Sequence, residues 1–247
     1  MKVLAIYNIK GGVGKTAAAV NLSYLAALGG RRVLLWDLDP QAASTFYLRI
    51  KPKVKGGGDK LIRGKRELDD AIKSTDYAGL DLLPADFSLR HSDLSLEHGK
   101  KPQRRLRELL KPLAGDYDYV FMDCPPSISL LSEAIFGATQ AVLVPLLPTT
   151  LSLRSFDQVQ AFIKQRDFCN PLMLLPFFSM VDRRKKLHCE IVDAAAVEGA
   201  SLLKQAIPYA SEVERMGLER APLVKFEASC PAARAYAGLW QEIQQWV

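Results

Sequence analysis

Apolar residues along this chain come in short continuous runs rather than in alternation with polar ones. Such runs predict strands near Val3–Asn8, Arg32–Asp37, Leu80–Pro84, Tyr119–Asp123, Ala141–Pro145 and Leu172–Phe178, with a short one near Ala206–Pro208. Runs rich in Val, Leu, Ile and Phe suit strands covered on both faces, so the sheet is expected to be mainly parallel. Between them the period lengthens to that of helices, predicted over Lys15–Leu28, Leu68–Lys73, Pro102–Leu113, Ser129–Thr139, Leu153–Arg166, Leu187–Glu198 and Ala232–Val247. This order of elements predicts one α/β domain over residues 1–247, a doubly wound, mainly parallel sheet with helices on both faces. Residues 51–66, basic and holding Gly56-Gly57-Gly58, are expected to be a flexible loop.

Composition bounds the class without choosing a function. The 247 residues can bury a large core, and 49% hydrophobic with 24% charged residues is ordinary for a soluble protein. Cys124, Cys169, Cys189 and Cys230 lie far apart with no Cys-x-x-Cys pair, so neither a zinc site nor a disulfide framework is suggested. The chain opens on a strand with no charged-then-apolar leader, and no apolar run approaches membrane-spanning length. A cytoplasmic protein is expected.

Chemistry enters at Ile6-Tyr7-Asn8-Ile9-Lys10-Gly11-Gly12-Val13-Gly14-Lys15-Thr16, where a strand meets a helix through a glycine-rich turn. Glycines let backbone N–H groups curl around phosphate oxygens, and the helix start adds partial positive charge. Lys15 can reach terminal phosphates and the Thr16 hydroxyl can ligate Mg²⁺. ATP and Mg²⁺ are the expected cofactors. The usual spacing asks for a glycine where Ile9 stands, and a second lysine, Lys10, precedes the paired glycines.

Lys-Gly-Gly-x-Gly-Lys-Thr resembles the deviant Walker A loop of the ParA/MinD family of dimerising ATPases. Asp37-Leu38-Asp39-Pro40-Gln41 resembles that family's second motif, and Asp118-Tyr119-Val120-Phe121-Met122-Asp123-Cys124-Pro125-Pro126-Ser127 its Walker B. Val144-Pro145-Leu146-Leu147-Pro148 resembles the strand and loop that follow. Weaker echoes are Met180-Val181-Asp182-Arg183-Arg184 and Ala206-Ile207-Pro208. The likeness covers roughly residues 1–50 and 77–247.

In such a sheet, residues 9–16, 37–41 and 123–127 all follow strand ends and converge on one crevice. The nucleotide set is Lys10, Gly11, Gly12, Val13, Gly14, Lys15, Thr16 and Ala17, with Met180 and Pro208. Asp123 ends an apolar strand, where an unpaired carboxylate is costly, so Mg²⁺ or its water shell is its natural partner. The resemblance assigns Asp39 to orienting the attacking water and Asp37 to the outer shell of the metal held by Thr16 and Asp123. The alternative, that either Asp37 or Asp39 caps a helix beginning near Gln41, stays open. Lys10 cannot easily turn back onto the phosphates that Lys15 holds. In the family it contacts the phosphates of the other protomer, which implies an ATP-dependent homodimer and counts Lys10 with Lys15 and Asp39 in the catalytic set.

Two positions depart from the family pattern. Ala42-Ala43 stands where relatives carry Gly-Asn, and Ala17 where they carry a second threonine. Slow hydrolysis without a stimulating partner is expected.

A net charge of +6 is modest, but it is unevenly spread. Clusters occur at Lys51–Arg66, at Lys100, Lys101, Arg104, Arg105 and Arg107, and at Arg183-Arg184-Lys185-Lys186. The last, backed by Arg215, Arg220 and Lys225, is the candidate DNA-binding set because it follows strands that flank the nucleotide. The resemblance implies a partition or positioning ATPase that binds DNA nonspecifically, associates with the nucleoid and answers to a ParB-like or other cargo adaptor. A membrane switch of the MinD or flagellar-regulator kind is the alternative. It needs a basic amphipathic tail, whereas the apolar stripe Tyr236, Leu239, Trp240, Ile243, Trp246 and Val247 faces only Arg234 and Glu242, so no stable membrane anchor is expected. Nitrogenase iron-protein relatives would need paired interface cysteines. The loop begins within ten residues of Met1, so no operator-binding extension is expected.

Overall fold

Backbone pairing in the computed structural model sets seven strands in one sheet, in the order β3-β4-β2-β5-β1-β6-β7. They are β1 (Lys2–Ile6), β2 (Val33–Asp37), β3 (Lys73–Ser74), β4 (Leu80–Leu83), β5 (Tyr119–Asp123), β6 (Ala141–Leu146) and β7 (Met173–Phe178). The structure describes every residue except 98–100, 167, 169–171 and 198–201, so Lys100, Cys169 and the expected helix end at Glu198 lie outside it. All neighbouring pairs are parallel except the short edge pair β3–β4. Every residue of β2, β5 and β6 is buried, as their uninterrupted apolar runs require.

Helices cover both faces. They are α1 (Lys15–Leu28), α2 (Ala43–Tyr47), α3 (Gly58–Ile62), α4 (Ser92–Glu97), α5 (Arg105–Leu110) and α6 (Leu130–Ala138). After them come α7 (Thr150–Lys164), α8 (Lys186–Val197), α9 (Ser211–Glu214), α10 (Met216–Glu219), α11 (Leu223–Phe226) and α12 (Pro231–Ile243). One face buries Ala18, Leu22 and Ala26 of α1 with Met216, Leu223, Tyr236, Leu239 and Trp240. The other buries Leu61, Leu96, Leu106, Ile135, Phe136 and Val159 from α3 to α7. Local sequence starts several of these helices. Ser129 and Ser132 form a capping box on α6, the Thr149 hydroxyl accepts from Ser152 N at 3.3 Å, and Pro231 opens α12.

The terminal helix settles the reading of its apolar stripe. Tyr236, Leu239, Trp240 and Ile243 are buried, and the Trp240 ring meets Tyr119 and Phe121 at centroid distances of 5.3 and 5.7 Å. The helix ends at Ile243, short of the expected Val247, which leaves Trp246 exposed. Among the described residues no helix is long and apolar enough to cross a membrane.

Several expected elements are redrawn. The region expected as one helix over Pro102–Leu113 is α5 between two 3₁₀ turns. The expected helix Leu68–Lys73 is a 3₁₀ turn at Asp69–Ala71 running into β3, where Lys73 and Ser74 pair with Leu82 and Asp81. The expected strand at Ala206–Pro208 is one parallel bridge, Val181 to Pro208. Residues 51–66 are not a plain loop. They hold α3, and Val54, Leu61 and Ile62 are buried in the core.

Candidate functional site

Parallel register places the chemistry at one edge of the sheet. Ile6 pairs with Asp123 and Asp37 pairs with Asp123, so the turn after β1 lies beside two carboxylates that end adjacent strands. All of them sit beyond the carboxyl ends of parallel strands, where open α/β sheets bind ligands.

Between β1 and α1 the chain makes a tight loop that depends on glycine. Gly12 has φ +70° and Gly14 φ +90°, and Gly14 also cedes space to a neighbour, because a Cβ there would stand 2.8 Å from Ser179 Oγ. Atoms built at Gly11 and Gly12 would meet nothing within 4 Å, so that side of the loop is open. Buried Asn8 fixes the start of the loop. Its amide donates to Pro145 O at 2.8 Å while its Oδ1 accepts from Lys10 N at 2.9 Å. Val13 is buried beneath the loop, and Ala17 lies half-buried in the first turn of α1. The turn has the form of an anion cradle, with backbone amides leading into a fourteen-residue helix.

Lys15 is nearly buried and donates to Lys10 O at 3.0 Å, reaching back across the loop it follows. Burial lowers its pKa, and Asp123, Cys124 and Asp39 work against that shift. Lys10 differs. It is half-buried, and its ammonium has no hydrogen-bond or ion-pair partner among the described residues.

The two strand-end acids are strained electrostatically. Burial raises the pKa of Asp37, and the neighbouring Asp123 raises it further. Asp37 Oδ2 accepts from Thr45 N at 2.8 Å and Thr45 Oγ1 at 2.7 Å, which partly offsets that cost. Burial likewise raises Asp123, eased by the hydroxyls of Ser44, 2.7 Å from Oδ2, and Thr16. Asp123 Oδ1 is buried, and among the described residues it has no hydrogen-bond partner at normal distance. An orphaned carboxylate oxygen beside a second carboxylate and a threonine is a donor set suited to a hard divalent cation.

Asp39 lies half-buried at the rim, its Oδ1 accepting from Gln41 N at 2.9 Å. The capping alternative therefore holds in part. Asp37 caps the N-terminus of α2 through Thr45, while Asp39 braces the turn before it. Ala42 adopts the left-handed conformation at φ 57°. Met180, also left-handed at φ 56°, approaches Gly14 with its Cε, and the Val181–Pro208 bridge brings Pro208 to the same side. Asn8, Ser44, Thr45 and Ser179 were inside or next to the motifs, yet only the folded geometry gives them their roles.

The candidate DNA set is not brought together as uniformly. Arg184 forms two 2.9 Å contacts to Asp182, Lys186 pairs with Glu190 at 3.5 Å and Arg215 with Glu219 at 3.0 Å. Arg220 donates to Phe46 O and stacks on the Phe46 ring. Arg183, Lys185 and Lys225 are exposed without such partners among the described residues.

Comparison with known proteins agrees with this geometry. A family model described as an AAA domain matches residues 1–170. The chromosome partitioning protein ParA of Caulobacter vibrioides is 33% identical over 98% of this chain and 94% of its own length. Cobyrinic acid a,c-diamide synthase from Mycobacterium smegmatis with bound ADP and magnesium superposes with a TM-score of 0.85 at 29% identity, over 99% of this chain and 95% of that one. The Pyrococcus furiosus cell division ATPase MinD does so with a TM-score of 0.82 at 25% identity, over 100% and 99%. With a glycine-rich anion cradle, a cation-suited pair of strand-end acids and near-full-length relatives, the chain belongs to the ParA/MinD family of P-loop ATPases.

Proposed function

We propose that this chain is a partition or positioning switch that binds and slowly hydrolyses Mg²⁺–ATP, dimerises with ATP bound, and releases its matrix after hydrolysis. The observation that carries the reading is the convergence of Lys15, Asp39 and the orphaned Asp123 Oδ1 at the ends of β1, β2 and β5. In this reading the amides of Gly11, Gly12, Val13 and Gly14 hold phosphate oxygens and Lys15 neutralises the terminal ones. Thr16 and Asp123 hold Mg²⁺, with Asp37 in its outer shell. The ion supplies charge neutralisation on the transferring phosphoryl group. Asp39 orients the attacking water, and Ala17, Met180 and Pro208 flank the nucleoside.

Lys10 serves the partner protomer. Lys15 already occupies the near side of the cradle, and the Lys10 ammonium has no internal partner, which leaves it available to phosphates across a dimer interface. Phosphate charge would then link two chains, making nucleotide binding and dimerisation reciprocal. The dimer would bind DNA nonspecifically through Arg183, Lys185 and Lys225, with Arg184, Lys186, Arg215 and Arg220 beside them. A ParB-like or other cargo adaptor would stimulate hydrolysis, placing the protein on the nucleoid.

Sedimentation with Mg²⁺–ATP tests the roles. Asp39→Ala should bind ATP and accumulate as a dimer while turnover falls by about two decades, the scale of losing a well-oriented reactant. Lys10→Ala should bind ATP as a monomer. A monomeric Asp39→Ala together with a dimeric Lys10→Ala would refute both assignments.

A further inference from the structure

Helix α2 has five residues, and Ala42, its N-cap residue, has no polar side chain to cap it. Two of its hydroxyls nevertheless hold the strand-end acids. Ser44 Oγ donates to Asp123 Oδ2 at 2.7 Å, while Thr45 N and Thr45 Oγ1 donate to Asp37 Oδ2 at 2.8 and 2.7 Å. The turn that carries Asp39 leads straight into it, with Ala42 N donating to Asp39 O at 2.9 Å. So short a helix is not stable by itself. Whatever anchors α2 therefore also fixes these three carboxylates.

The anchor lies far away in sequence. Arg49, just past the end of α2, donates from Nε to Arg220 O at 3.0 Å and from Nη2 to Glu219 O at 2.9 Å. Arg220, just past the end of α10, donates from Nε to Phe46 O at 3.0 Å and lays its guanidinium over the Phe46 ring at 4.5 Å. Each arginine thus engages carbonyls at the C-terminal end of the other's helix. Both have left-handed backbones, at φ 60° and 47°, a conformation that an L-residue keeps where surrounding contacts impose it. Arg49 also pairs with Asp76 at 3.8 Å, but that pair stands in solvent.

Helix α10 is in turn fixed to the helix that follows the cradle. Buried Asn21 of α1 accepts at Oδ1 from Leu223 N at 2.8 Å, and its Nδ2 donates to Ala17 O at 2.8 Å and lies 3.3 Å from Met216 Sδ. The contacts close a ring. Asn21 joins α1 to α10 and α11, Arg49 and Arg220 join α10 to α2, and Ser44 and Thr45 join α2 to Asp123 and Asp37.

We propose that Arg49 and Arg220 are positioning residues for hydrolysis, a reciprocal latch that holds α2 so that Ser44 and Thr45 keep Asp123 and Asp37 in place, and Asp39 with them. The inference rests on the reading that these acids serve Mg²⁺–ATP hydrolysis. It gives Arg220 a task separate from DNA, since its Nε and its guanidinium face are engaged by Phe46. Arg49 reaches two carbonyls at once through its planar fork, a geometry that lysine lacks.

The test compares the parent with Arg49→Ala, Arg220→Ala, the two combined, Arg49→Lys and Asp76→Asn in DNA-free buffer. Misplacing a reacting group by about 1 Å through a distant substitution costs about a hundredfold, so each alanine variant should lose about tenfold or more in turnover and need about fivefold more Mg²⁺ for half its maximal rate. ATP affinity without Mg²⁺ should stay unchanged, because the cradle is intact. The combined variant should lose no more than either single one, since both break one latch. Arg49→Lys should fall with the alanine variants, whereas Asp76→Asn should behave as the parent. Hydrogen exchange on the ligand-free protein supplies a readout that needs no turnover. The amides of Thr45, Leu48 and Ile50 should exchange about tenfold faster in the alanine variants, and those of β1 and β5 at the parental rate. Parental turnover and Mg²⁺ dependence in both alanine variants, full activity in Arg49→Lys, or unchanged exchange at residues 45–50 would overturn the latch. Faster exchange throughout the sheet would overturn it in favour of a general packing role. A parent without Mg²⁺-dependent hydrolysis would refute the underlying reading and the positioning role with it, whereas an active parent with unaffected variants refutes the latch alone.

Discussion

Charge is handled in opposite ways in two regions of this molecule. At the carboxyl ends of β1, β2 and β5, Lys15, Asp37 and Asp123 are buried and fastened by Lys10 O, Thr45 and Ser44. On the segments 51–66 and 101–111, most cations are exposed, and among the described residues a single one, Arg105, pairs with a carboxylate. Each arrangement controls a different property. Buried charge is held by fixed hydrogen bonds and perturbed in pKa, which suits chemistry, whereas exposed unpaired charge is screened by salt and suits partner capture. The difference also separates costs, because desolvation falls on the first region and mutual repulsion on the second.

Removing charge from the buried side should have the largest effect. Asp123→Asn should reduce Mg²⁺-dependent hydrolysis by about two decades or more, since several kcal/mol of charge stabilisation depend on the metal. The same change should make the ligand-free protein more stable at neutral pH. Burial raises the pKa of Asp123 above its unfolded value, so its ionised form penalises the fold once the pH exceeds that unfolded value. An amide of the same shape escapes the penalty, and about 1–3 kcal/mol is expected, one pKa unit being worth about 1.4 kcal/mol. Denaturant melts at pH 7 decide this. A variant less stable than its parent, or one with full turnover, would show that Asp123 is an ordinary structural carboxylate.

A smaller effect sharpens the boundary of the site. Ala42→Gly should raise stability by about 1 kcal/mol, because an L-residue in the left-handed region costs roughly that much, and Tm by about 2–4 °C for a chain of this size. Thermal unfolding monitored by circular dichroism reads it directly. A lower Tm would mean that the methyl group, buried beside α2, contributes more by packing than it costs in backbone strain.

Much of the buried region was legible in the sequence, and little of the exposed one was. Continuous apolar runs place the strands of the parallel core within a residue or two, and the motif spacing puts Asp37 and Asp123 at strand ends and Lys15 at the start of the helix after β1 with no tertiary knowledge. Two helices near the exposed segments, α3 and α4, escaped because they have five and six residues, too few for a helical period to emerge, while α5 is the core of the longer helix expected over Pro102–Leu113. Long-range bonds hold them instead, from Val54 to Asp86, Arg63 to Ser95 and Arg105 to Ile62. Lys73 turned from helix to strand for the same reason, since edge pairing with Leu82 outweighed local propensity. Within the site, Asn8 shows the limit most plainly. Its two hydrogen bonds join the end of β6 to the loop after β1, a contact spanning 137 residues that no local pattern encodes.

Titration calorimetry of Mg²⁺–ATP into the parent and into Lys15→Ala tests the central claim most directly, namely that the turn after β1 is the nucleotide cradle. Removing a charge-assisted interaction worth roughly 1.5–3 kcal/mol should weaken binding by about one to two decades. Chelating Mg²⁺ should weaken binding to the parent as well, because the roles proposed for Thr16 and Asp123 run through that ion. Unchanged affinity in Lys15→Ala, with or without Mg²⁺, would contradict the account and place the nucleotide elsewhere.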